Sequence, residues 1–370
     1  MKGSSHLGDF FSNRQEPGRA DLPVMSVTMN DSLVLRDDME RRTESALRPD
    51  QHLLVKKGDI AYNMMRMWQG ACGLAEADGV VSPAYVVLAP KPGIDSRFAY
   101  HWFKSDRMIY LFWAFSHGLT KDRLRLYFDE FSEIPAFPPS LEQQRRAVAM
   151  LNTWDEAINL IDLSVTAKRR RYRGLLSRYA AEFHDEQTEF GELAELVSTR
   201  VQPGARNVSH RSIELENLEA ETGRILGTES VNDESALRST FHAGDTLFGK
   251  LRPYLRKFAR PSFDGICSTE IWVLRARRKM LDPVLLSFLV QTPQFDAAAT
   301  KQSGSRMPRA DWDLVSTTPI PCPRDLSRQS EVSALLSEAL NAVQSEMVKR
   351  DILRIQKRGL MQKVFSGCWQ

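Results

Sequence analysis

The architecture of the chain is decided by residues 138–176, which have the sequence PPSLEQQRRAVAMLNTWDEAINLIDLSVTAKRRRYRGLL. Two prolines are followed by apolar residues at alternating steps of four and three positions: Ala147, Leu151, Trp154, Ile158, Ile161 and Val165. This spacing is the a and d pattern of a coiled-coil seam, so one face of the helix is predicted to pack against a helical partner. If the seam continues through Tyr172 and Leu175, the helix has about 38 residues and a length of roughly 57 Å.

The helical partner is predicted to lie in the same chain, because a second segment repeats the spacing. Its apolar positions are Val332, Leu336, Ala339 and Val343. Glu346 and Arg350 then interrupt the seam, which makes this second copy less regular. We expect the two helices to pair with each other in antiparallel fashion and to leave their outer faces for other proteins. The alternative, in which each amphipathic helix packs only on its own domain, remains open.

The two helices belong to a duplication of the whole chain. At an offset of 186 residues, similar segments align in the order Leu7–Arg14 with Leu193–Arg200, Gly58-Asp59 with Gly244-Asp245, Ser82 with Ser268, and Ile134-Pro135 with Ile320-Pro321. After one deleted residue, an offset of 185 aligns Gln144 with Gln329. An offset that persists over this length indicates that each half is one structural unit, repeated.

Each half combines strands and helices in the same order. A Gly-Asp turn precedes β-rich runs at 80–88 and 265–274, helical segments follow near 97–115 and 282–299, and Pro-rich connectors at 134–139 and 319–323 are predicted to be extended. The predicted fold class is α+β, with two pseudo-symmetric α/β domains separated by a long antiparallel two-helix coiled coil. The predicted boundaries are 1–140 and 185–326 for the domains, and 141–184 and 327–370 for the helices.

Composition and residue spacing give no support for a metal site, a disulfide framework or a membrane span. The chain has 370 residues and 42% hydrophobic residues, which is ordinary for a folded protein of two domains. The four cysteines have no metal-binding or disulfide spacing, the seven histidines have none either, and the longest apolar run, 108–115, is too short to cross a bilayer. No signal-like leader is recognised, so a cytoplasmic location without membrane contact is expected.

Several motifs resemble the specificity (S) subunits of type I restriction-modification systems. They are the turn Lys57-Gly58-Asp59-Ile60, the run YNMMRMWQG at 62–70, Ser82-Pro83-Ala84-Tyr85, and PPSLEQQRR from Pro138. The sequence departs from the family at Gln143-Gln144, where Glu-Gln is common, and at Ser268-Thr269-Glu270-Ile271, which replaces the Ser-Pro-Ala-Tyr run. Related phage-defence assemblies contain similar subunits.

The resemblance implies a non-catalytic subunit that binds double-stranded DNA. In this family two target-recognition domains each read half of a bipartite sequence, and paired helices fix the unspecified spacer. Two copies of a DNA methyltransferase (modification) subunit bind the helices, and restriction or translocase subunits join that core. No cofactor and no metal are expected in the S subunit itself.

The DNA-binding candidates are hydrogen-bond donors or stacking groups in polar or Gly-flanked segments between apolar runs. In the first half they are Arg66, Ser82, Tyr85, Lys121 and Arg123. In the second half they are Lys250, Arg252, Tyr254, Arg256, Lys257, Arg306 and Arg309. Five of the eleven residues from 250 to 260 are basic, which makes this the densest basic segment among the candidates. For any single residue, a solvated surface cation is the competing interpretation.

Two motifs look catalytic. Gly244–Leu251 fits G-x-x-x-x-G-K, but Leu251 stands where a phosphate loop requires a hydroxyl for magnesium, so it is rejected. Ser82-Pro83-Ala84-Tyr85 resembles the catalytic loop of DNA adenine or cytosine amino-methyltransferases but departs at its third position. That rival enzyme would bind S-adenosylmethionine. A third hypothesis is a duplicated scaffold that never touches DNA.

Overall fold

The computed structural model describes residues 5–27, 33–36, 51–120, 123–202, 210–231, 237–301 and 307–367. The chain divides into two compact units. Unit 1 comprises residues 1–159 and 351–370, and unit 2 comprises residues 160–350. Each unit therefore contains an α+β portion and a part of both long helices. The mixed fold with long helices agrees with the prediction from the sequence.

Unit 1 contains eight described strands and the start of the first long helix. The strands are β1 (Phe11–Asn13), β2 (Met25–Val27), β3 (Leu33–Leu35), β4 (Leu53–Val55), β5 (Ile60–Asn63), β6 (Cys72–Leu74), β7 (Gly79–Val81) and β8 (Tyr85–Pro90). The helices are α1 (Leu7–Phe10), α2 (Ser96–Phe103), α3 (Asp106–Ala114), α4 (Phe128–Ser132) and α5 (Leu141–Glu182). One antiparallel sheet has the order β1-β8-β5-β6, and β2-β3 and β4-β7 form two further pairs.

Unit 2 repeats this plan. Its strands are β9 (Gln187–Glu189), β10 (Ala194–Leu196), β11 (Arg200–Val201), β12 (His210–Ile213), β13 (Glu229–Val231), β14 (Arg238–Phe241), β15 (Thr246–Gly249), β16 (Phe258–Ala259), β17 (Gly265–Ser268), β18 (Ile271–Ala276) and β19 (Pro319–Pro321). Its helices are α6 (Phe190–Leu193), α7 (Pro283–Leu289), α8 (Pro293–Thr300), α9 (Trp312–Ser316) and α10 (Leu326–Gly367). The sheets are β10-β18-β15-β16, β11-β14-β17-β12-β13 and β19-β9.

Each predicted helical segment before a connector is two short helices. Ser105 accepts a hydrogen bond from Met108 N and caps the start of α3, and Thr292 accepts one from Phe295 N and caps α8. A hydroxyl that satisfies a free N–H at a helix start favours a new helix at that point. The single segments predicted near 97–115 and 282–299 are therefore each divided by a cap.

The core of unit 1 is a cluster of aromatic rings closed by both long helices. Phe11, Phe103, Phe112 and Phe131 are fully buried, and neighbouring rings lie with centroids 5.5–6.1 Å apart. Burial of one such side chain contributes roughly 1.5–3 kcal/mol. The same cluster includes residues from α5 and α10: Ala147, Val148, Leu151, Met361 and Phe365. Part of the predicted seam therefore packs on the domain as well as on a helix.

The core of unit 2 has the same construction. Phe295 contacts Phe190 and Phe248, with ring centroids 4.9 and 5.0 Å apart. The residues that the long helices add to this core are Val165, Tyr172, Leu176, Tyr179, Leu336, Val343 and Met347. Ile158 and Val165 of the predicted seam are buried, whereas Trp154 and Ile161 are half-buried.

The long helices run antiparallel, and charged pairs join them where the apolar seam stops. In unit 2, Lys168 Nζ lies 2.7 Å from Glu346, and Arg350 lies 3.6 Å from Asp162. The partner number falls as the residue number rises, which defines the antiparallel direction. Glu346 and Arg350, which interrupt the sequence pattern, are thus partners in ion pairs rather than breaks in the helix contact.

A buried glutamine fastens the start of each long helix to its domain. In unit 1 the Gln144 side chain accepts from Asp95 N and donates to the carbonyl oxygens of Gly93 and Pro139. In unit 2 Gln329 makes the equivalent bonds with Asp282 N, Met280 O and Pro323 O. Both glutamines are almost completely buried. The alignment of these residues in the sequence thus identified equivalent positions.

One part of the sequence alignment is wrong. Phe11 pairs with Pro90 in unit 1, and Ala194 pairs with Ala276 in unit 2. Since Pro90 and Ala276 are 186 residues apart, Phe11 is equivalent to Ala194, at an offset of 183. The initial match of Leu7 with Leu193 is therefore displaced by three residues, because unit 2 has three more residues than unit 1 between its first aligned strand and the Gly-Asp turn.

Candidate nucleic-acid interface

In unit 2 three loops converge beside the end of β15 and the start of β18. Lys250 N donates to Glu270 O at 3.0 Å, Ala310 N donates to Lys250 O at 2.9 Å, and Arg252 N donates to Pro308 O at 2.8 Å. We call residues 250–257, 268–271 and 307–310 loop cluster 2. It contains most of the candidates predicted in the second half of the sequence.

Unit 1 has an equivalent loop cluster. Met64 N donates to Ala84 O at 3.4 Å, and Leu126 N donates to Met64 O at 3.0 Å. We call residues 64–71, 82–85 and 123–127 loop cluster 1. Because Met64 is equivalent to Lys250, the hydrogen bonds make Ala84 the counterpart of Glu270. They likewise pair the segment before Leu126 with the segment before Ala310.

An arginine begins a single 3₁₀ turn at the same place in both clusters. Arg66 follows β5 and precedes the turn Met67–Gln69, and Arg252 follows β15 and precedes the turn Pro253–Leu255. Both side chains are exposed, and neither has a hydrogen-bonded or ionic side-chain partner among the residues that the structure describes. These two predicted sites therefore occupy equivalent positions, with guanidinium groups available to an external acceptor.

The backbone of the second turn is strained on both sides. Arg252 has φ 52° and Arg256 has φ 48°, in the left-handed region that side chains other than glycine avoid. In unit 1 the residue that closes the turn is Gly70, with φ 85°, which has no such penalty. Strain of this kind persists where surrounding structure holds it, and it is concentrated at functional sites.

Two predicted arginines in unit 2 are already bound by carboxylates. Arg256 donates to Asp296 through Nε and Nη2 at 3.1 and 2.6 Å, and its Nη1 lies 3.8 Å from Glu221. Arg309 donates to Glu270 through Nε and Nη2 at 3.0 and 3.1 Å. The hydrogen bond with Arg309 keeps the pKa of Glu270 below its usual value, and the charge of Lys250 acts in the same direction.

The other predicted residues of loop cluster 2 differ in how accessible their polar side-chain groups are to an external partner. Lys257 Nζ donates to Leu215 O at 2.7 Å, so its ammonium group is partly used inside the unit. Lys250 is half-buried and lies close enough to affect Glu270. Tyr254 is 56% exposed and is free to stack or to donate. Arg306 lies outside the described residues.

In unit 1, Ser82 and Tyr85 lie at the turn between β7 and β8. Ser82 Oγ accepts from Ala84 N at 3.3 Å, and Ser268 Oγ accepts from Glu270 N at the same distance in unit 2. This bond gives Ser82 a local role in the turn. Tyr85 begins β8, where it is paired with Asn63 and half-buried.

The third loop of unit 1 contains one predicted residue that can be placed. Arg123 is exposed, and its N–H donates to Thr120 O at 2.9 Å. Lys121 lies outside the described residues. Arg125, which is exposed, was not predicted from the sequence. It is the counterpart of Arg309, because the next residues, Leu126 and Ala310, donate equivalent hydrogen bonds to Met64 O and Lys250 O. The offset here is 184, so alignment at a constant offset conceals the match.

Among the described residues, neither a reactive thiol nor a metal-binding group of side chains is found. Burial raises the pKa of Cys72 to about 11 and those of Cys267 and Cys322 to about 12, so these thiols are protonated at neutral pH. No described group of three or more His, Cys, Asp or Glu side chains could hold a metal ion. The G-x-x-x-x-G-K match runs through strand β15 instead of a loop, as expected for a chance match.

Within the described part of the chain, no helix has the length and apolar character needed to span a bilayer.

A cleft of about 400 Å³ lies beside the Ser82–Tyr85 turn, lined in part by Asn13, Gln15, Tyr85 and Tyr127.

No family model matches the sequence. Over 118 residues, 31% of the chain, the sequence is 25% identical to the type I restriction enzyme EcoDI specificity subunit of Escherichia coli. That match spans only 26% of the length of the E. coli protein. The sequence relation is therefore local, and the comparison of whole folds comes from solved structures.

Two solved structures resemble the chain along nearly its whole length. The S subunit of a type I restriction-modification system from M. genitalium has a TM-score of 0.52 at 14% identity, with 99% of this chain and 97% of that chain covered. A chain from a structure on complex assembly and conformational transition of the type I R-M system has a TM-score of 0.52 at 15% identity, with 98% and 97% covered. At these identities the likeness concerns the fold. The chain therefore has the fold of the specificity subunits of type I restriction-modification systems, which its sequence motifs also resemble.

Proposed function

We propose that the chain is a non-catalytic specificity subunit that binds double-stranded DNA and reads a bipartite target. In this proposal the recognition domains are residues 1–140 and 185–326, and each reads one half-site. The long helices, at 141–184 and 327–370, set the length of the unspecified spacer. The setting that fits the fold best is a type I restriction-modification complex, and the compartment we expect is the cytoplasm.

The observation that carries this proposal is the duplication of the loop cluster. Reading a base sequence requires hydrogen-bond donors and acceptors at base edges and cations at phosphates, and requires no acid, base or nucleophile. Loop clusters 1 and 2 present exposed arginines on the same backbone frame, with different side chains around them. A protein with two such clusters is suited to two half-sites that differ in sequence.

The described side chains differ in how directly they could meet DNA. We propose Arg66, Arg252, Arg123 and Tyr254 as the most accessible contacts, because they are exposed and their polar groups are not engaged by other described residues. The remaining predicted contacts stay proposals, because each is half-buried or has polar side-chain atoms already bonded inside the unit. They are Ser82, Tyr85, Lys250, Arg256, Lys257 and Arg309.

The long helices support the proposal of protein partners. In unit 2, Leu160 and Leu163 of α5 are each 68% exposed. In unit 1, Ile352 and Ile355 of α10 are also exposed. Exposed apolar side chains grouped on one element are typical of an interaction surface. We propose that two copies of a methyltransferase subunit cover these surfaces, and that restriction or translocase subunits join through them.

A binding selection from random double-stranded DNA tests the proposed function. The full chain, assembled with its methyltransferase subunit, should enrich a sequence with two specified segments and an unspecified spacer. Removing one heptad from both long helices should change the spacer length and leave both half-sites unchanged. Enrichment of a single uninterrupted site, or of none, would contradict the proposal.

The methyltransferase rival predicts a different result for the isolated chain. An amino-methyltransferase that uses Ser82 to Tyr85 must bind S-adenosylmethionine, whereas a specificity subunit need not. Isothermal titration of the isolated chain with S-adenosylmethionine should give no binding heat. The duplicated scaffold that never touches DNA is separated by an electrophoretic shift assay with and without the methyltransferase subunit.

A further inference from the structure

Several described arginines donate two hydrogen bonds to one carboxylate. They differ in how many guanidinium N–H donors remain without a partner. A guanidinium has five N–H donors in a fixed plane. Arg256 has Asp296 on one side and Glu221 near its remaining nitrogen, and Arg14 has Asp59 and Glu16 in the same arrangement. In both residues all three nitrogens face carboxylates. These two side chains are internal links.

Arg309 is held on one side only. Its Nε and Nη2 donate to the two oxygens of Glu270, and its Nη1 has no hydrogen-bond partner among the described residues. Nη1 and the second hydrogen of Nη2 form the end of the guanidinium that points away from Glu270. The side chain is 48% exposed, so this end can be approached from solvent. Arg275 and Arg19 also pair through Nε and Nη2, but neither residue lies in a loop cluster.

Two parallel N–H donors in one plane match two acceptors on a base edge. In the major groove, guanine presents O6 and N7 as neighbouring acceptors, and a bidentate arginine is the commonest specific contact to it. An arginine fixed in orientation before binding loses less side-chain entropy on complex formation. The Glu270 carboxylate provides that orientation, because it engages the guanidinium through two bonds and fixes its plane.

The carboxylate is compatible with nearby DNA because its charge is balanced. Glu270 pairs with Arg309 and lies close to Lys250, and both cations favour its ionised form. The backbone bonds of Lys250 to Glu270 and to Ala310 place both members of the pair in loop cluster 2, beside the exposed Arg252. The pair therefore lies among the residues proposed to contact DNA.

Unit 1 lacks this pair. Ala84 occupies the position of Glu270, and Arg125 occupies the position of Arg309, so the equivalent arginine has no carboxylate at that turn. A Glu–Arg pair needed to hold the frame together would be required in both units. Its presence in only one unit points to a role in distinguishing the two half-sites.

We propose that Arg309 recognises a guanine in the half-site bound by unit 2, and that Glu270 is a positioning residue that orients its guanidinium. This inference rests on the proposed function and assigns the base class that unit 2 selects. Arg309 donates to O6 and N7 through Nη1 and Nη2, while Nε and Nη2 keep their bonds to Glu270. No covalent step is involved.

The test is the same random-DNA selection, carried out with the full chain and its methyltransferase subunit. The variants are Arg309→Ala, Arg309→Lys and Glu270→Gln, with Ala84→Glu as the matched control at the equivalent turn of unit 1. Wild type should require a guanine at one position of one half-site. Arg309→Ala and Arg309→Lys should lower the preference for that guanine by about tenfold or more, the range expected for a lost bidentate contact.

Glu270→Gln should weaken the same preference by a smaller factor, while preferences at the other positions remain. Ala84→Glu should leave that guanine unaffected. A merely structural pair would change the thermal stability and the affinity for all sequences alike, without altering one base preference. If two half-sites are selected but no guanine preference changes in either Arg309 variant, the inference is wrong and the proposed function stands. If no bipartite sequence is selected by wild type, the proposed function fails first.

Discussion

Loop clusters 1 and 2 have the same backbone frame and different chemistry. The strands that flank the loops, the 3₁₀ turns and two hydrogen bonds between loops coincide, as do the buried glutamines at the starts of α5 and α10. The tips differ: loop cluster 1 has Gly70 and Ala84, whereas loop cluster 2 has Arg256 and Glu270 at those positions. Buried polar bonds thus maintain the scaffold while exposed positions diverge.

The two units neutralise equivalent buried aspartates with arginines from different strands. Asp59 accepts two bonds from Arg14, which follows β1, and Asp245 accepts two from Arg275, which lies on β18. The two aspartates are equivalent, but their arginines come from different neighbouring strands. The carboxylate is nearly buried in both units and requires a cation, and the strand that supplies the cation is free to change.

The largest expected effect is the loss of stability when either buried glutamine, Gln144 or Gln329, is replaced. Gln144→Ala or Gln329→Ala leaves one buried N–H and two buried carbonyl oxygens without their partner, so each should lower the free energy of unfolding by roughly 4 kcal/mol. Denaturant unfolding of the full chain measures this. The exposed neighbours Arg145→Ala and Ser330→Ala should change it by less than about 0.5 kcal/mol. A large effect in one unit and none in the other would show that the frames are not equivalent.

A buried histidine distinguishes the cores of the units. His101 lies on α2, where unit 2 has Phe288 at the equivalent position of α7. Burial lowers the pKa of His101 to about 4, and the charge of Lys357 acts in the same direction. The charges of Lys104 and Arg97 also lower it, whereas Asp155 opposes them. The folded state therefore keeps the ring neutral where the unfolded chain takes up a proton.

Stability should consequently fall as the pH drops from about 6.5 to about 4, by roughly 3 kcal/mol in total. His101→Phe, which copies unit 2, should abolish this dependence, and the exposed His184→Asn should retain it. Denaturant unfolding at a series of pH values provides the measurement. The same pH dependence in His101→Phe and wild type would refute the assignment.

The difference between a free and a bound arginine can be measured in loop cluster 2. Arg252→Ala should weaken DNA binding by about tenfold and reduce the slope of log K against log salt by about 1 if its partner is a phosphate. Arg256→Ala should change the affinity by less than about threefold, because its nitrogens already face Asp296 and Glu221. Titrations at several salt concentrations test both variants. Equal losses would mean that Arg256 leaves its carboxylates to bind DNA.

The smallest expected effect concerns the serines of the equivalent turns. Ser82→Ala and Ser268→Ala each remove one hydrogen bond to a backbone N–H, so each should cost about 0.5–1 kcal/mol of stability. We expect DNA affinity to be unchanged in both. Paired unfolding and binding measurements provide the check. A loss of affinity in Ser82→Ala alone would support the proposed DNA contact of Ser82.

Much of the fold could be predicted because repeated patterns are local and one-dimensional. The apolar seam, the Pro-rich connectors and the duplicated Gly-Asp turns follow from side-chain spacing and backbone constraints. The division of each helical segment was missed, since Ser105 and Thr292 act as caps only when the chain before them turns. The three-residue displacement near Leu7 was missed because conservative residues match at more than one offset.

The candidate site was only partly predictable. Arg66 and Arg252 could be predicted as candidates because they are basic residues in polar segments. Their equivalence also follows from the offset of 186. Arg125 was not predicted, because insertions change the offset between the loops. Arg309 was predicted, but its pairing with Glu270 was not, because no sequence spacing joins residue 270 to residue 309. Whether an arginine is free or neutralised is a property of its surroundings.

The sequence by itself determined that the chain is a duplicated α+β protein with two long helices, because periodicity and repetition are properties of residue order. Only the tertiary structure decided which cations are available, which polar residues hold the frame, and why Glu346 and Arg350 interrupt the seam. These outcomes depend on partners far apart in the chain, and the energy of an ion pair or a buried hydrogen bond depends on geometry and burial that no single segment contains.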